Sequence, residues 1–210
     1  MAKQSLAVKY RPVSFNDMTE QSAIKDILEN QIKTKTFQHG YLFTGPAGTG
    51  KTTSARIFAG EIKEGKGNPI EVDAASNSGV DNIRQIIEDA KRKPLDAEYK
   101  IFIVDECHSL SNNAWQAFLK TIEDGVKDVI FIFCTTERHK VPATIISRCQ
   151  VFDFKRIRPE DTKKRLTFIQ DSENKEVGES SFQVSDECMD YISRLCNGGM
   201  RLAISMYEKV

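Results

Sequence analysis

The sequence predicts an α/β fold, a five-stranded parallel sheet with helices on both faces, followed by a small helical domain. Three observations carry that expectation. Five short apolar runs alternate with stretches of helical periodicity. The first run, Tyr41-Leu42-Phe43, opens into a glycine-rich loop, Gly45-Pro46-Ala47-Gly48-Thr49-Gly50-Lys51-Thr52, and a helix-compatible run over 53–59 leaves it. Past Lys155 the strand signals stop and only helical ones remain.

The chain begins with an arm in which Lys9-Tyr10-Arg11-Pro12 sets an aromatic ring and cations beside a structure-breaking proline. Composition allows two readings: an arm lying on a bound base, or a tail tied to the core by Leu6, Val8 and Phe15. Over 20–37, Ile24, Ile27, Leu28 and Ile32 share one face of an amphipathic helix. The strand, the loop and its helix follow, and 60–69 is a polar stretch rich in glycine and lysine. Residues 70–74 alternate as a strand does. Ser76-Asn77-Ser78-Gly79 is turn chemistry, and the helix it opens has Val80, Ile83, Ile86 and Ile87 on its inner face. Residues 99–104 read as a fully buried strand ending in Asp105-Glu106, and 111–123 as a helix with Trp115, Phe118, Leu119 and Ile122 in its stripe. A strand over 129–134 ends at Thr135-Thr136, 145–148 is one turn of helix, and 150–154 is the last strand. Helices are expected over 159–169, 185–196 and 200–208, with a polar, mobile connector at 171–181. The expected domains are 1–155 and 156–210.

Composition narrows the function. Hydrophobic residues make up 40% of the 210, enough for a core of that size, and no apolar run approaches the roughly 20 residues that span a bilayer. The first residues lack the apolar centre of a secretory signal, so a cytoplasmic protein with no membrane partner is expected. Thirty basic and thirty acidic residues cancel, leaving no global field toward nucleic acid. Cys107, Cys134, Cys149, Cys188 and Cys196 never form a Cys-x-x-Cys pair, which suggests packing thiols and no zinc.

The glycine-rich loop reads as a phosphate cradle. Its glycines let consecutive backbone N–H groups curl round an oligophosphate, and the helix that follows adds partial positive charge. Lys51 would neutralise the β- and γ-phosphates of ATP, and the Thr52 hydroxyl would ligate Mg²⁺, with Gly45 to Thr53 all lining the nucleotide. Four apolar residues before Asp105-Glu106 supply the second half of a nucleoside-triphosphatase site. Asp105 would hold Mg²⁺ through water and Glu106 would polarise the attacking water. A water-activating carboxylate favours hydrolysis over phosphoryl transfer to a substrate, because a kinase must keep water out. Thr136 ends a strand that, in such sheets, lies between the loop strand and the Asp-Glu strand, where its hydroxyl would reach the γ-phosphate or the water. Ser147-Arg148-Cys149 offers a cation for the charge developing on the transferred phosphoryl, supplied in cis or by a neighbouring subunit. On residue type alone, a surface ion pair is the commoner role for such an arginine.

The order of these motifs resembles that of the AAA+ clamp-loader ATPases, nearest to the gamma/tau group of bacterial DNA polymerase III. The matching stretches are Lys9-Tyr10-Arg11-Pro12, His39-Gly40-Tyr41-Leu42-Phe43, the glycine-rich loop, Asp73-Ala74-Ala75-Ser76-Asn77, Asp105-Glu106-Cys107-His108-Ser109-Leu110, Phe118-Leu119-Lys120-Thr121-Ile122-Glu123, Thr135-Thr136, residues 141–150, and Gly198-Gly199-Met200-Arg201. The resemblance implies an ATP-hydrolysing motor subunit in a hetero- or homo-oligomeric spiral, acting with a sliding clamp and primer-template DNA. It implies Arg148 as a finger acting in trans, Thr136 as a first sensor, Arg201 as a second sensor on a lid, and Tyr10, Arg11 and Pro12 against the adenine. It also implies that Ser76, Asn77, Ser78, Gly79 and Lys120 face DNA phosphates, which suits a helix N-terminus that binds phosphate without reading sequence. This chain departs from the pattern in three places. Residues 60–69 lack the family's four-cysteine zinc module, Asp124-Gly125-Val126 replaces a Pro-Pro, and Asn77 and Gly79 stand where some relatives have basic residues. The chain to Val210 is expected to stop at the lid, before the helical collar. The alternatives are a non-catalytic scaffold subunit of the same assembly, a phosphate-loop kinase, and an AAA+ ATPase of branch migration or recombination. Intact Lys51, Thr52, Asp105 and Glu106 disfavour the first, and Glu106 with Arg148 disfavours the second.

Overall fold

Alternating apolar runs and helices require a sheet covered on both faces, and that is the architecture of the computed structural model, which describes residues 4–76, 79–92, 98–177 and 183–210. In chain order its elements are α1 (Leu6–Lys9), α2 (Ser22–Thr34), β1 (Gly40–Thr44), α3 (Lys51–Ile62), β2 (Ile70–Asp73), α4 (Val80–Lys91), β3 (Lys100–Asp105), α5 (Asn112–Asp124), β4 (Val129–Thr135), α6 (Ala143–Ile146), β5 (Gln150–Asp153), α7 (Pro159–Val177), α8 (Asp186–Leu195) and α9 (Met200–Tyr207). They fall into two units. One comprises Ser22–Gly45 and Lys51–Phe154; the other comprises Met1–Gln21, Pro46–Gly50 and Lys155–Val210.

The first unit holds a parallel sheet in the order β2-β3-β4-β1-β5. Strand β4 lies between β1 and β3, as expected from the motif order, and is buried at every position. Its Phe131 and Phe133 meet Trp115 and Phe118 of α5, with ring centroids of the Phe118 pairs 5.4 and 5.2 Å apart. Helix α5 begins where the Ser111 hydroxyl accepts the Ala114 N–H, and it stops at Gly125, whose φ of 60° takes the left-handed conformation that ends helices. Strand β3 extends one residue beyond the expected run, so Asp105 is the last paired residue, in register with Asp73 of β2.

The second unit is helical. Leu6, Leu166, Ile169, Met189, Ile192, Ala203, Ile204 and Tyr207 form its core, and the Leu6 N–H donates to Glu208 Oε1 at 3.0 Å. Of the three residues expected to tie the arm to the core, Leu6 packs among the helices of this unit and Phe15 is buried, whereas Val8 is 47% exposed and does not serve as an anchor. The division breaks between Phe154 and Lys155, next to the expected boundary, but it also groups residues 1–21 and the loop segment 46–50 with the helical unit. The polar connector expected at 171–181 is helix through Val177. Residues 170–176 carry Gln, Glu and Lys with good helix propensity and no Gly or Pro, so α7 continues without an apolar stripe. Lys9 adds an anchor by pairing with Glu173 and Glu176 at 2.6 and 2.5 Å.

Candidate functional site

At the C-terminal end of β1 the chain must turn sharply, and Gly45 does so with φ 140°. A Cβ there would lie 2.3 Å from the Phe154 carbonyl oxygen, so only glycine fits. Lys51 opens α3 with its side chain buried, and its Nζ donates to the Gly45 carbonyl at 2.8 Å. Burial pushes the Lys51 ammonium below its ordinary value, against the raising influence of Cys134, Glu106 and Asp105. A cation buried in this way is suited to an anionic ligand, which would favour its charged form. Next along α3, the Thr52 hydroxyl donates to Asp105 Oδ2 at 2.8 Å, joining the start of α3 to the end of β3. The other carboxylate oxygen, Oδ1, accepts the Glu106 N–H at 3.0 Å. A hydroxyl and a carboxylate in contact are hard oxygen donors, and they fit Mg²⁺ of the kind that accompanies a nucleoside triphosphate. Thr53 follows on α3, half-buried.

Glu106 takes a left-handed backbone, φ 47° and ψ 41°, uncommon for a residue with a side chain. This conformation turns the chain from β3 into a single 3₁₀ turn, Cys107–Ser109. His108 on that turn is mostly covered. Its Nδ1 lies 3.0 Å from Thr135 Oγ1 and 3.3 Å from Glu106 Oε2, and its Nε2 lies 3.2 Å from Glu137 Oε1. Thr135 Oγ1 also accepts the Glu137 N–H at 2.9 Å, and Lys140 Nζ pairs with the Glu137 carboxylate at 2.9 Å. Three cysteines lie close by in sequence or space, and burial pushes the Cys107, Cys134 and Cys149 thiols up, Cys149 to about 12, so they are protonated packing groups.

The helical unit contains Pro46–Gly50 and the other expected nucleotide residues. Gly48 has φ 74°, and a Cβ on it would lie 3.1 Å from Gly199 Cα; its carbonyl accepts the Met200 N–H at 3.0 Å. The Thr49 hydroxyl donates to the Pro46 carbonyl at 2.8 Å, which closes the Pro46-Ala47-Gly48-Thr49 turn. Arg201 stands in the first turn of α9, exposed. Tyr10 is held by α7: its hydroxyl donates to Glu173 Oε1 at 2.7 Å, Arg165 donates to its carbonyl at 2.9 Å, and its ring meets Phe168 edge-on. Arg11 and Pro12 follow it half-buried, and the Arg11 N–H donates to the Val8 carbonyl.

The remaining expected residues belong to the sheet unit. Thr136 lies just past β4 in an open groove with Asn112, Arg138 and Val141. Arg148 pairs with Glu123 at 2.5 Å and donates to the Thr144 carbonyl at 2.9 Å, with 39% of its side chain exposed. Lys120 is exposed on α5. The Ser76 hydroxyl donates to Asp73 at 2.8 Å, and Gly79 caps α4 without a side-chain hydrogen bond. Asn77 and Ser78 lie outside the described residues.

Comparison with known proteins bears on this geometry. The chain is 42% identical over its whole length to DNA polymerase III subunit tau of Bacillus subtilis, spanning 40% of that protein. It is 34% identical to DNA polymerase III subunit gamma/tau of Mycoplasma pneumoniae, over 99% of the chain and 32% of that protein. The chain is a homologue of the gamma/tau subunits over their N-terminal region. It spans less than half the length of these relatives. Residues 63–158 match the family model described as DNA polymerase III, delta subunit. Among solved structures, the RuvB Holliday junction branch migration motor of Thermotoga maritima superposes with a TM-score of 0.76. That match covers 95% of this chain and 64% of RuvB at 20% identity. Together with the parallel sheet and the loop at the end of β1, this makes the fold that of a phosphate-loop AAA+ protein.

The sequence of this chain already displays the loop, Asp105 and Glu106, which a residue-by-residue reading finds. It does not display the part taken by His108, Thr135 and Glu137. The signal for His108 was present in the run Asp105-Glu106-Cys107-His108, three residues after the strand end. Its partners come from the end of a strand adjacent in space and 27 or more residues away in sequence, so no local pattern reports them.

Proposed function

We propose that this chain is an ATP-hydrolysing motor subunit of a DNA polymerase sliding-clamp loader, working in the cytoplasm with other loader subunits, a clamp and primer-template DNA. The observation that carries the reading is the 2.8 Å bond from Thr52 to Asp105, with Glu106 next to it and Lys51 buried at the same loop. Homology to gamma/tau subunits supports the replication setting.

In this reading Lys51 and the N–H groups of the Gly45 to Thr53 stretch bind the phosphates of ATP. Thr52 and Asp105 hold Mg²⁺, which when bound neutralises developing charge on the phosphates. Glu106 orients the attacking water and accepts its proton. Thr136 senses the γ-phosphate, Arg201 on the helical lid does so from a second element, and Tyr10, Arg11 and Pro12 contact the adenine. Arg148 serves the site of a neighbouring subunit. Ser76 to Gly79 and Lys120 follow the DNA backbone; zinc has no part.

The test is clamp loading. The chain is combined with its partner subunits, the clamp, primer-template DNA and ATP, and the clamp retained on DNA is measured. ATP-dependent retention, lost with Lys51→Ala, is expected. ATP-dependent branch migration of a four-way junction, with no clamp retained, would instead support the recombination reading.

A further inference from the structure

The clustering at Glu106 goes beyond the water-activating role given to that residue. Oxygen Oε2 of Glu106 is covered from solvent and has no hydrogen-bond partner among the described residues, although the side chain as a whole is 45% exposed. The nearest polar group is His108 Nδ1 at 3.3 Å, and that nitrogen is aligned with Thr135 instead. A buried carboxylate oxygen left unmatched is costly, so its surroundings need a reason.

The imidazole is held at both nitrogens. Its Nδ1 is hydrogen-bonded to Thr135 Oγ1, which also accepts the Glu137 N–H. Its Nε2 lies 3.2 Å from Glu137 Oε1, within ion-pair distance. Glu137 is held in turn by Lys140. Every member of the chain Lys140, Glu137, His108, Thr135 has a partner. With both nitrogens engaged, the ring presents a held edge to Glu106 Oε2 at 3.3 Å. That edge covers Oε2 and restrains the carboxylate, while its more exposed oxygen keeps its acceptor capacity for water.

We propose that His108 is a positioning residue for Glu106, locked by Thr135 and Glu137 at the end of β4. Through it the carboxylate at the end of β3 is set by the neighbouring strand, the one that leads into Thr136. The inference rests on the hydrolytic reading of Glu106, and its test separates the two.

Phosphate release from ATP and equilibrium affinity for Mg²⁺·ATP are measured for the chain assembled with its partner subunits. The variants are His108→Ala, His108→Gln, Glu137→Ala, His108→Ala with Glu137→Ala, and Glu106→Gln. A misplaced base costs on the order of 10² in rate, so His108→Ala should lose about that factor in kcat while its ATP affinity stays within about twofold. His108→Gln, which keeps an N–H donor within reach of Glu137, should recover a large part. Glu137→Ala should slow the wild-type background but add nothing to His108→Ala, the non-additivity expected when one residue acts through another. A wild-type kcat in His108→Ala, alongside an inactive Glu106→Gln, would overturn this inference alone. Loss of ATP affinity in parallel with kcat, or additive losses in the double variant, would reduce His108 to a structural role and overturn it as well. Retained turnover in Glu106→Gln would remove the hydrolytic reading and this inference with it.

Discussion

Glu106→Gln should bind Mg²⁺·ATP as the unaltered chain does and turn it over about 10² to 10⁴ times more slowly, the range associated with loss of a general base. The substitution keeps the size and the left-handed backbone position of the side chain, and leaves Lys51, Thr52 and Asp105 untouched. In the proposed reading those three residues contribute to binding, whereas Glu106 takes the proton of the attacking water. Titration with ATP and a steady-state phosphate assay on the same preparation separate the two. Weakened binding with a proportional loss of rate would show that Glu106 shapes the pocket and does no chemistry.

Arg148→Ala should have its effect in a neighbour. In the isolated chain Arg148 is engaged with Glu123 and with the Thr144 carbonyl near the surface. A partly exposed pair of this kind contributes roughly 0–1 kcal/mol, so the variant should fold and bind ATP as before. In the assembled complex the guanidinium would leave Glu123 for a phosphate on the next subunit. Arginine fingers contribute on the order of 10³ to 10⁵ in rate, so Arg148→Ala should abolish most of the turnover gained on assembly. Mixing Lys51→Ala and Arg148→Ala chains in one complex sharpens this, since a Lys51→Ala subunit still offers its arginine to an Arg148→Ala neighbour with an intact loop. Partial recovery is expected in the mixture. Full activity of Arg148→Ala alone would place the arginine outside the chemistry.

The centre of the sheet was legible because β3 and β4 are continuous apolar runs, and burial on both faces leaves such runs few other structures to adopt. The loop was legible because phosphate binding demands glycines at fixed spacing, and the structure has positive φ at Gly45, Gly48 and Gly50. Less visible were features decided by tertiary partners. The turn at Leu6–Lys9 is too short to show a period, and Leu6 finds its core among helices some 160 or more residues later in the chain. The last turns of α7 carry polar residues whose helical state owes more to propensity and to Lys9 than to any apolar stripe. At the candidate site, the residue types of Asp105 and Glu106 declared themselves, while the left-handed turn at Glu106 and the lock on His108 needed β4 beside β3.

The claim at the centre of this account is that water, positioned by Glu106, receives the γ-phosphoryl group of ATP. Turnover of the assembled chain in water enriched in ¹⁸O, with mass analysis of the released phosphate, tests it most directly. The account predicts one solvent oxygen in each phosphate, equimolar ADP, and loss of both products in Glu106→Gln. ATP that is bound but left intact, or a γ-phosphoryl recovered on an acceptor other than water, would contradict it.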